Sequence, residues 1–150
     1  MRVFDLKDKL EYLDEVVNLE HDEWGDNPDY DRERRINNKK KVIMDNFSNK
    51  SFCKLILLDK NILIGFISLF PNDSDECPEY SPWYATMYVK KEYRGMGYSR
   101  ILNDALLKEA RSRGFKEIFL KSTLKNYYEK FGAVFIKNIK DDENLFKIIL

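Results

Sequence analysis

"KKEYRGMGYSRILNDALLKEARSRG", Lys90 to Gly114, is the stretch on which the fold turns. Gly95 and Gly97 stand one residue apart, directly before a proline-free run of helical periodicity that reaches Arg113, with Gly114 as its natural stop. Glycine weakens a helix, so two of them at a helix mouth need another cause. The residues just upstream, "WYATMYV" (83–89), read as a β-strand, which makes the unit a strand, a bare loop and a helix.

Outward from that unit the chain reads as α+β. A short strand is predicted over Met1–Phe4, and apolar residues from Leu6 to Leu19 follow the spacing of a first amphipathic helix. A loop follows over residues 21–31. Asp29 or Asp31 is then the expected cap of a second helix running to Asn46. "SFCKLILLD" and "ILIGFISLF" form a hairpin around "DKN", and "PNDSDECPEYSP" is a polar loop with three prolines. Downstream, "FKEIFLKS" is a strand, "LKNYYEKF" a short helix, and "AVFIKNI" and "LFKIIL" two closing strands. The 150 residues suit a single domain over 1–150, with no linker, repeat or low-complexity tract to divide them.

Composition excludes several partners. The 26 basic residues balance the 26 acidic ones, so net charge recommends neither nucleic acid nor an anionic membrane. No apolar run approaches a membrane span and the N-terminus lacks a secretory core, so the expectation is a soluble cytoplasmic protein. Two isolated cysteines and one histidine offer no zinc pattern, and no metal is expected. Cys53, inside an apolar run, reads as core; Cys77 stays open. The one basic run, Arg32 to Lys41, reads as a solvated helix face, with nucleic-acid binding as its rival.

A loop bearing Arg94, Gly95 and Gly97 at the start of a helix presents free backbone N–H groups at the positive end of the helix dipole. That arrangement cradles phosphate. Side chains at Gly95 and Gly97 would stand between the amides and a pyrophosphate. A Walker loop is excluded because no Gly-Lys-Ser/Thr closes the stretch, and a dinucleotide fingerprint because Arg100 holds the third glycine's place.

What remains resembles the GNAT acyltransferase family, whose acyl-CoA loop reads Gln or Arg, two residues of any kind, Gly, one of any kind, then Gly or Ala. Arg94, Gly97 and Ser99 take those places, the last with an extra hydroxymethyl. "LKNYYEKFGAVFI" is similar to the family's tyrosine helix and following strand, commonly YEKxGF, with Ala133 in place of the aromatic residue. The order of elements agrees over essentially the entire chain. The resemblance implies a mixed, mostly antiparallel sheet with splayed fourth and fifth strands, and an acetyl-CoA-dependent N-acetyltransferase acting on a primary amine by direct attack in a ternary complex. It implies that the backbone of Met87, Tyr88 and Val89 holds the pantetheine arm, with the N–H of Met87 or Val89 polarising the thioester. Arg94 and the amides of Gly95, Met96, Gly97, Tyr98, Ser99 and Arg100 would hold the pyrophosphate. Tyr128 matches the family's general acid, while Tyr127 reads as structural.

The general base is not evident, because the fourth strand carries Tyr84, Thr86 and Tyr88 but no acid. Glu23, His21 and Glu76 are the candidates, with Glu23 preferred; a lone histidine near a helix end reads more readily as a surface residue or cap. Eleven acids lie between Asp5 and Asp31, and further clusters at Asp73, Asp75, Glu76, Glu79 and at Asp141, Asp142, Glu143 would attract a cationic amine, unless they are ordinary solvated faces. Trp24, Trp83 and Tyr84 are expected to wall the acceptor site. The resemblance further implies a small-molecule or peptide amine as acceptor, and a monomer or homodimer is expected. A polypeptide acetyltransferase and a CoA-binding module with weak turnover are the alternatives.

Overall fold

The computed structural model describes residues 1–150, all of them. β1 (Arg2–Asp5) leads through two 3-10 turns, Leu6–Asp8 and Leu10–Tyr12, into α1 (Leu13–Trp24) and α2 (Arg32–Asn46). β2 (Cys53–Asp59), β3 (Ile62–Phe70) and β4 (Trp83–Val89) follow, then α3 (Tyr98–Ser112), β5 (Glu117–Ser122), a 3-10 turn at Tyr128–Phe131, β6 (Ala133–Lys140) and β7 (Glu143–Ile149). The strands form one sheet in the order β1-β2-β3-β4-β5-β7-β6. Every pairing is antiparallel except β4 with β5, which are parallel and share a single registered pair, Trp83 with Phe119. Beyond that pair the two strands part. The sheet is therefore split along its middle.

β2 and β3 are buried on both faces, which is why they read as continuous apolar runs rather than alternating ones. Leu55, Leu57, Ile67 and Leu69 meet Leu102, Leu106 and Ala110 of α3 on one face. Ile56, Leu58 and Phe66 meet Val16 and Val17 of α1 and Ile36 and Ile43 of α2 on the other. A third, small cluster of Cys77, Trp83, Phe119 and Leu145 pins the long loop between β3 and β4 to the sheet.

Two features shape β4. Gly65 lies against it so closely that a Cβ there would stand 2.3 Å from the Tyr88 carbonyl oxygen. Between the pairs Phe66–Tyr88 and Ser68–Ala85, β4 advances three residues while β3 advances two, and the bulge so formed holds Thr86 at φ 46°. A β-branched residue in that region is strained.

The first helix is shorter at its start than the periodicity predicts, because Lys9 at φ −140° separates two 3-10 turns and α1 begins only at Leu13. The tyrosine segment is likewise a 3-10 turn rather than a helix. Asp31 occupies the cap position of α2 but caps nothing with its side chain, which pairs with Arg34. The basic run on α2 is largely engaged within the protein. Arg32 binds Asp22 (2.6 Å) and Asn18 (2.8 Å), Arg35 donates to the carbonyls of Asp26, Asn27 and Tyr30, and Lys40 meets Asp14 at 2.5 Å. These contacts weld α2 to α1.

Candidate active site

The loop before α3 is built as the glycines require. Gly95 and Gly97 take φ of 80° and 83°, in the left-handed region that favours glycine, and Gly97 is the residue from which α3 springs. A Cβ at either position would meet no protein atom within 4 Å. The space over their amides is open. The first four N–H groups of a helix lack partners within it, so this mouth presents donors to a cavity of about 590 Å³. Met87, Tyr88 and Val89 of β4 form its strand wall, and Tyr98 and Ser99 its helix wall. Arg94 Nε donates to the Val89 carbonyl at 2.7 Å, with the guanidinium 5.4 Å from the Tyr88 ring centre, so this arginine also braces loop to strand.

A second cavity, of about 440 Å³, opens where β4 and β5 part. Tyr84, Ala85, Thr86 and Met87 line it from β4, Leu120 and Lys121 from β5, Tyr128 from the 3-10 turn, and Trp24 from α1. Asp73 and Glu143 bring two carboxylates to it. Met87 lines both cavities, so they meet along β4. Adjacent residues divide between them. Glu23 and Tyr127 face the first cavity, Trp24 and Tyr128 the second.

Burial sets the protonation of this second cavity. It raises the Asp73 carboxyl to about 6, against the downward pull of Lys121 and with a small upward push from Glu143. It raises the phenols of Tyr84 and Tyr128 as well, so both keep their protons at neutral pH. Tyr128 packs edge-on to Tyr84 with centroids 5.8 Å apart.

A polar chain backs the cavity through the sheet. Thr86 Oγ1 donates to Ser68 Oγ at 2.5 Å; Ser68 Oγ accepts from Lys54 Nζ at 2.7 Å, and Lys54 meets Glu20 at 2.6 Å. Lys54 is 0% exposed. Its pairing with Glu20 satisfies a charge that would be costly in the core. These two residues also line a smaller hollow of about 190 Å³ between α1, α2 and the sheet.

The residues singled out in the sequence divide as follows. Met87, Tyr88, Val89, Arg94, Gly95, Gly97, Tyr98 and Ser99 border one cavity. Met96 instead points outward, and the Arg100 guanidinium lies 5.0 Å from the Phe131 ring centre, so that residue brings only its amide to the helix mouth. Trp24 and Tyr84 wall the second cavity, but Trp83 does not. Its ring is 0% exposed, packed in the third cluster against Cys77, Phe119 and Leu145, and its indole N–H donates to the Tyr80 carbonyl at 2.8 Å. Tyr127, expected to be structural, lines the glycine-loop cavity. His21 is not on the surface: it is fully buried, with Nε2 2.9 Å from the Pro28 carbonyl oxygen.

Charge is more tightly paired than the sequence implied. Asp5, Asp14, Glu15, Glu20, Asp22 and Asp31 all have basic partners, as do Glu76 with Lys140 and Glu79 with Lys137. Lys140 holds the Glu76 carboxyl below its ordinary range, which suits an ion pair and not a base. Glu23 lines the glycine-loop cavity, whereas Tyr128 lines the second one. Asp73 entered the sequence reading only as one charge in a cluster. Its burial is tertiary, and the local pattern carried no sign of it.

Against models of known protein families, residues 13–133 match the one described as the Acetyltransferase (GNAT) family. No curated protein matches the sequence significantly. Among solved structures, the chain is similar over its whole length to a PaiA N-acetyltransferase from Thermoplasma acidophilum in complex with coenzyme A. The identity is 22% over 100% of both chains, and the TM-score is 0.66. A ribosomal-protein-alanine N-acetyltransferase from Brucella melitensis gives 17% over 100% of both chains, with a TM-score of 0.71. A spermidine N-acetyltransferase from Vibrio cholerae gives 15% over 99% of this chain and 95% of its own, with a TM-score of 0.70. At these identities the likeness is one of fold.

Proposed function

Since the chain belongs to the GNAT acetyltransferase family, we propose that it transfers an acetyl group from acetyl-CoA to a primary amine, by direct attack with both substrates bound. The observation that carries this reading is the meeting of two cavities at Met87, one bordered by helix-mouth amides and the other by two phenols and two carboxylates. The open space over Gly95 and Gly97 fits a pyrophosphate. The β4 backbone at Met87–Val89 walls the same cavity, which supports its holding the pantetheine arm and offering an N–H to the thioester carbonyl.

Acetyl-CoA supplies an activated carbonyl and a thiolate leaving group. The protein's part is positioning and proton traffic. Tyr128 keeps its proton until the departing sulfur takes it, an office for which burial suits it. The amine nitrogen enters from the side of Trp24, whose ring offers an aromatic face to a cation.

Two measurements test this. Calorimetry should register coenzyme A binding, and a screen of primary amines with acetyl-CoA should release free thiol. Tyr128→Phe should lower turnover about 10²-fold or more while leaving CoA affinity unchanged. Absence of CoA binding by the wild-type protein refutes the proposal.

A further inference from the structure

We infer that Asp73 is the general base of this site: it takes the proton from the acceptor's ammonium group and so frees the nitrogen that attacks. The inference rests on the acetyltransferase reading and concerns a residue of the β3–β4 loop, which lies outside the glycine loop and the tyrosine turn.

A primary ammonium must lose a proton before it can attack. Two carboxylates, those of Asp73 and Glu143, line the cavity that holds Tyr128. Glu143 also borders the open hollow with Asp141, Asp142 and Lys140, which places it at the rim. Asp73 is half-buried, on a loop anchored on either side of it. Phe70 precedes it in β3, and Cys77 and Trp83 follow it, fixed in the third cluster. Anchoring matters because a base works only at a fixed distance from its proton.

The charged and titratable groups that line the cavity with Asp73 are Lys121 from β5, Glu143 from β7, Tyr84 from β4 and Tyr128 from the 3-10 turn, and of these Lys121 and Glu143 act on its charge. α1 presents only the indole of Trp24. Lys121 alone opposes protonation, and it does not offset burial. The carboxyl is therefore a stronger base than an exposed aspartate, yet mostly ionised at neutral pH. The step balances simply: one ammonium N–H bond breaks, its electrons stay on nitrogen, and the proton goes to a carboxylate oxygen and then to water.

The test is the pH dependence of kcat/KM at saturating acetyl-CoA, with an amine whose own ionisation lies above pH 9. The wild-type acid limb should break near the Asp73 value of about 6. Asp73→Asn should lose about 10²–10³-fold in kcat/KM and lose the limb, while binding CoA as before. Asp73→Glu should restore part of both. An amine already neutral at pH 7, such as trifluoroethylamine, should recover most of the Asn variant's deficit, which no merely structural defect would allow. Carbon NMR of labelled aspartate gives a reading independent of turnover, since the Asp73 carboxyl should titrate well above its exposed counterparts. An active wild type whose Asn variant keeps both rate and limb, or an Asp73 carboxyl titrating near 4, overturns the inference alone. A wild-type protein that binds CoA but acetylates no amine overturns the acetyltransferase reading and the inference together.

Discussion

Replacing Gly65 with alanine should damage both the fold and the glycine-loop cavity, because β3 and β4 meet there backbone to backbone. The new Cβ would stand 2.3 Å from the Tyr88 carbonyl oxygen, 3.1 Å from Val89 Cα and 3.3 Å from Leu102 Cδ1. Contact between such atoms is comfortable near 3.5 Å, so the two strands must part by about 1 Å. The leucine can swing aside, but two of the three obstacles are backbone, paired in register as Gly65–Val89 and Phe66–Tyr88. Overpacking of this kind costs about 1–3 kcal/mol, and a chain of this size should then lose about 2–12 °C in Tm. The displaced segment is also the strand wall of the glycine-loop cavity. Losing one or two hydrogen bonds there should weaken CoA about 3-fold to 100-fold. Thermal denaturation and calorimetry on the same preparation read both effects. A Gly65→Ala protein with unchanged Tm and unchanged CoA affinity would refute the reasoning.

Three other outcomes follow. The folded-state value of Asp73 lies above its ordinary 3.8, so this residue's contribution to stability is greatest below about pH 4 and is lost as pH rises through about 6. Asp73→Asn should therefore raise Tm at pH 7 and change it little at pH 4, as scanning calorimetry at the two pH values would record. Lys54→Met strands the Glu20 carboxylate and should destabilise by about 3 kcal/mol in urea titration, while adding Glu20→Leu should recover much of the loss. Both cysteines are buried, and burial pushes the Cys53 thiol up to about 12. A thiol reagent at pH 8 should therefore label neither until the protein unfolds, which also keeps protein thiols out of the amine screen.

Elements carried by strong local patterns were legible in the sequence. β2 and β3 announce themselves by unbroken apolar runs, and α3 by Leu102, Leu106, Leu107 and Ala110 at helical spacing. The glycine loop was legible for the same reason, since a positive φ leaves its mark on residue type. The start of α1 was not, because Leu6 and Leu10 keep helical spacing through two 3-10 turns whose break at Lys9 is a backbone event. Trp83 and Trp24 looked alike as aromatic neighbours of a site. Only the packing of Trp83 against Cys77, Phe119 and Leu145, a tertiary event, separates its buried ring from that of Trp24, which is 49% exposed. The ionisation of Asp73 lay furthest out of reach, since it depends on which side chains close over a loop.

The last turn of α1 sends Glu20, Glu23 and Trp24 into three different hollows. Glu20 is tied through Lys54 and Ser68 to the β4 bulge, so that turn and that strand share one chain of hydrogen bonds. Occupancy of any hollow that tilts the helix end must be felt in the others, and felt equally in both directions. If the glycine-loop cavity takes the acyl donor and the second cavity the amine, as proposed, the two affinities should be mutually dependent, and a double titration should recover the same cooperativity factor whichever ligand is added first.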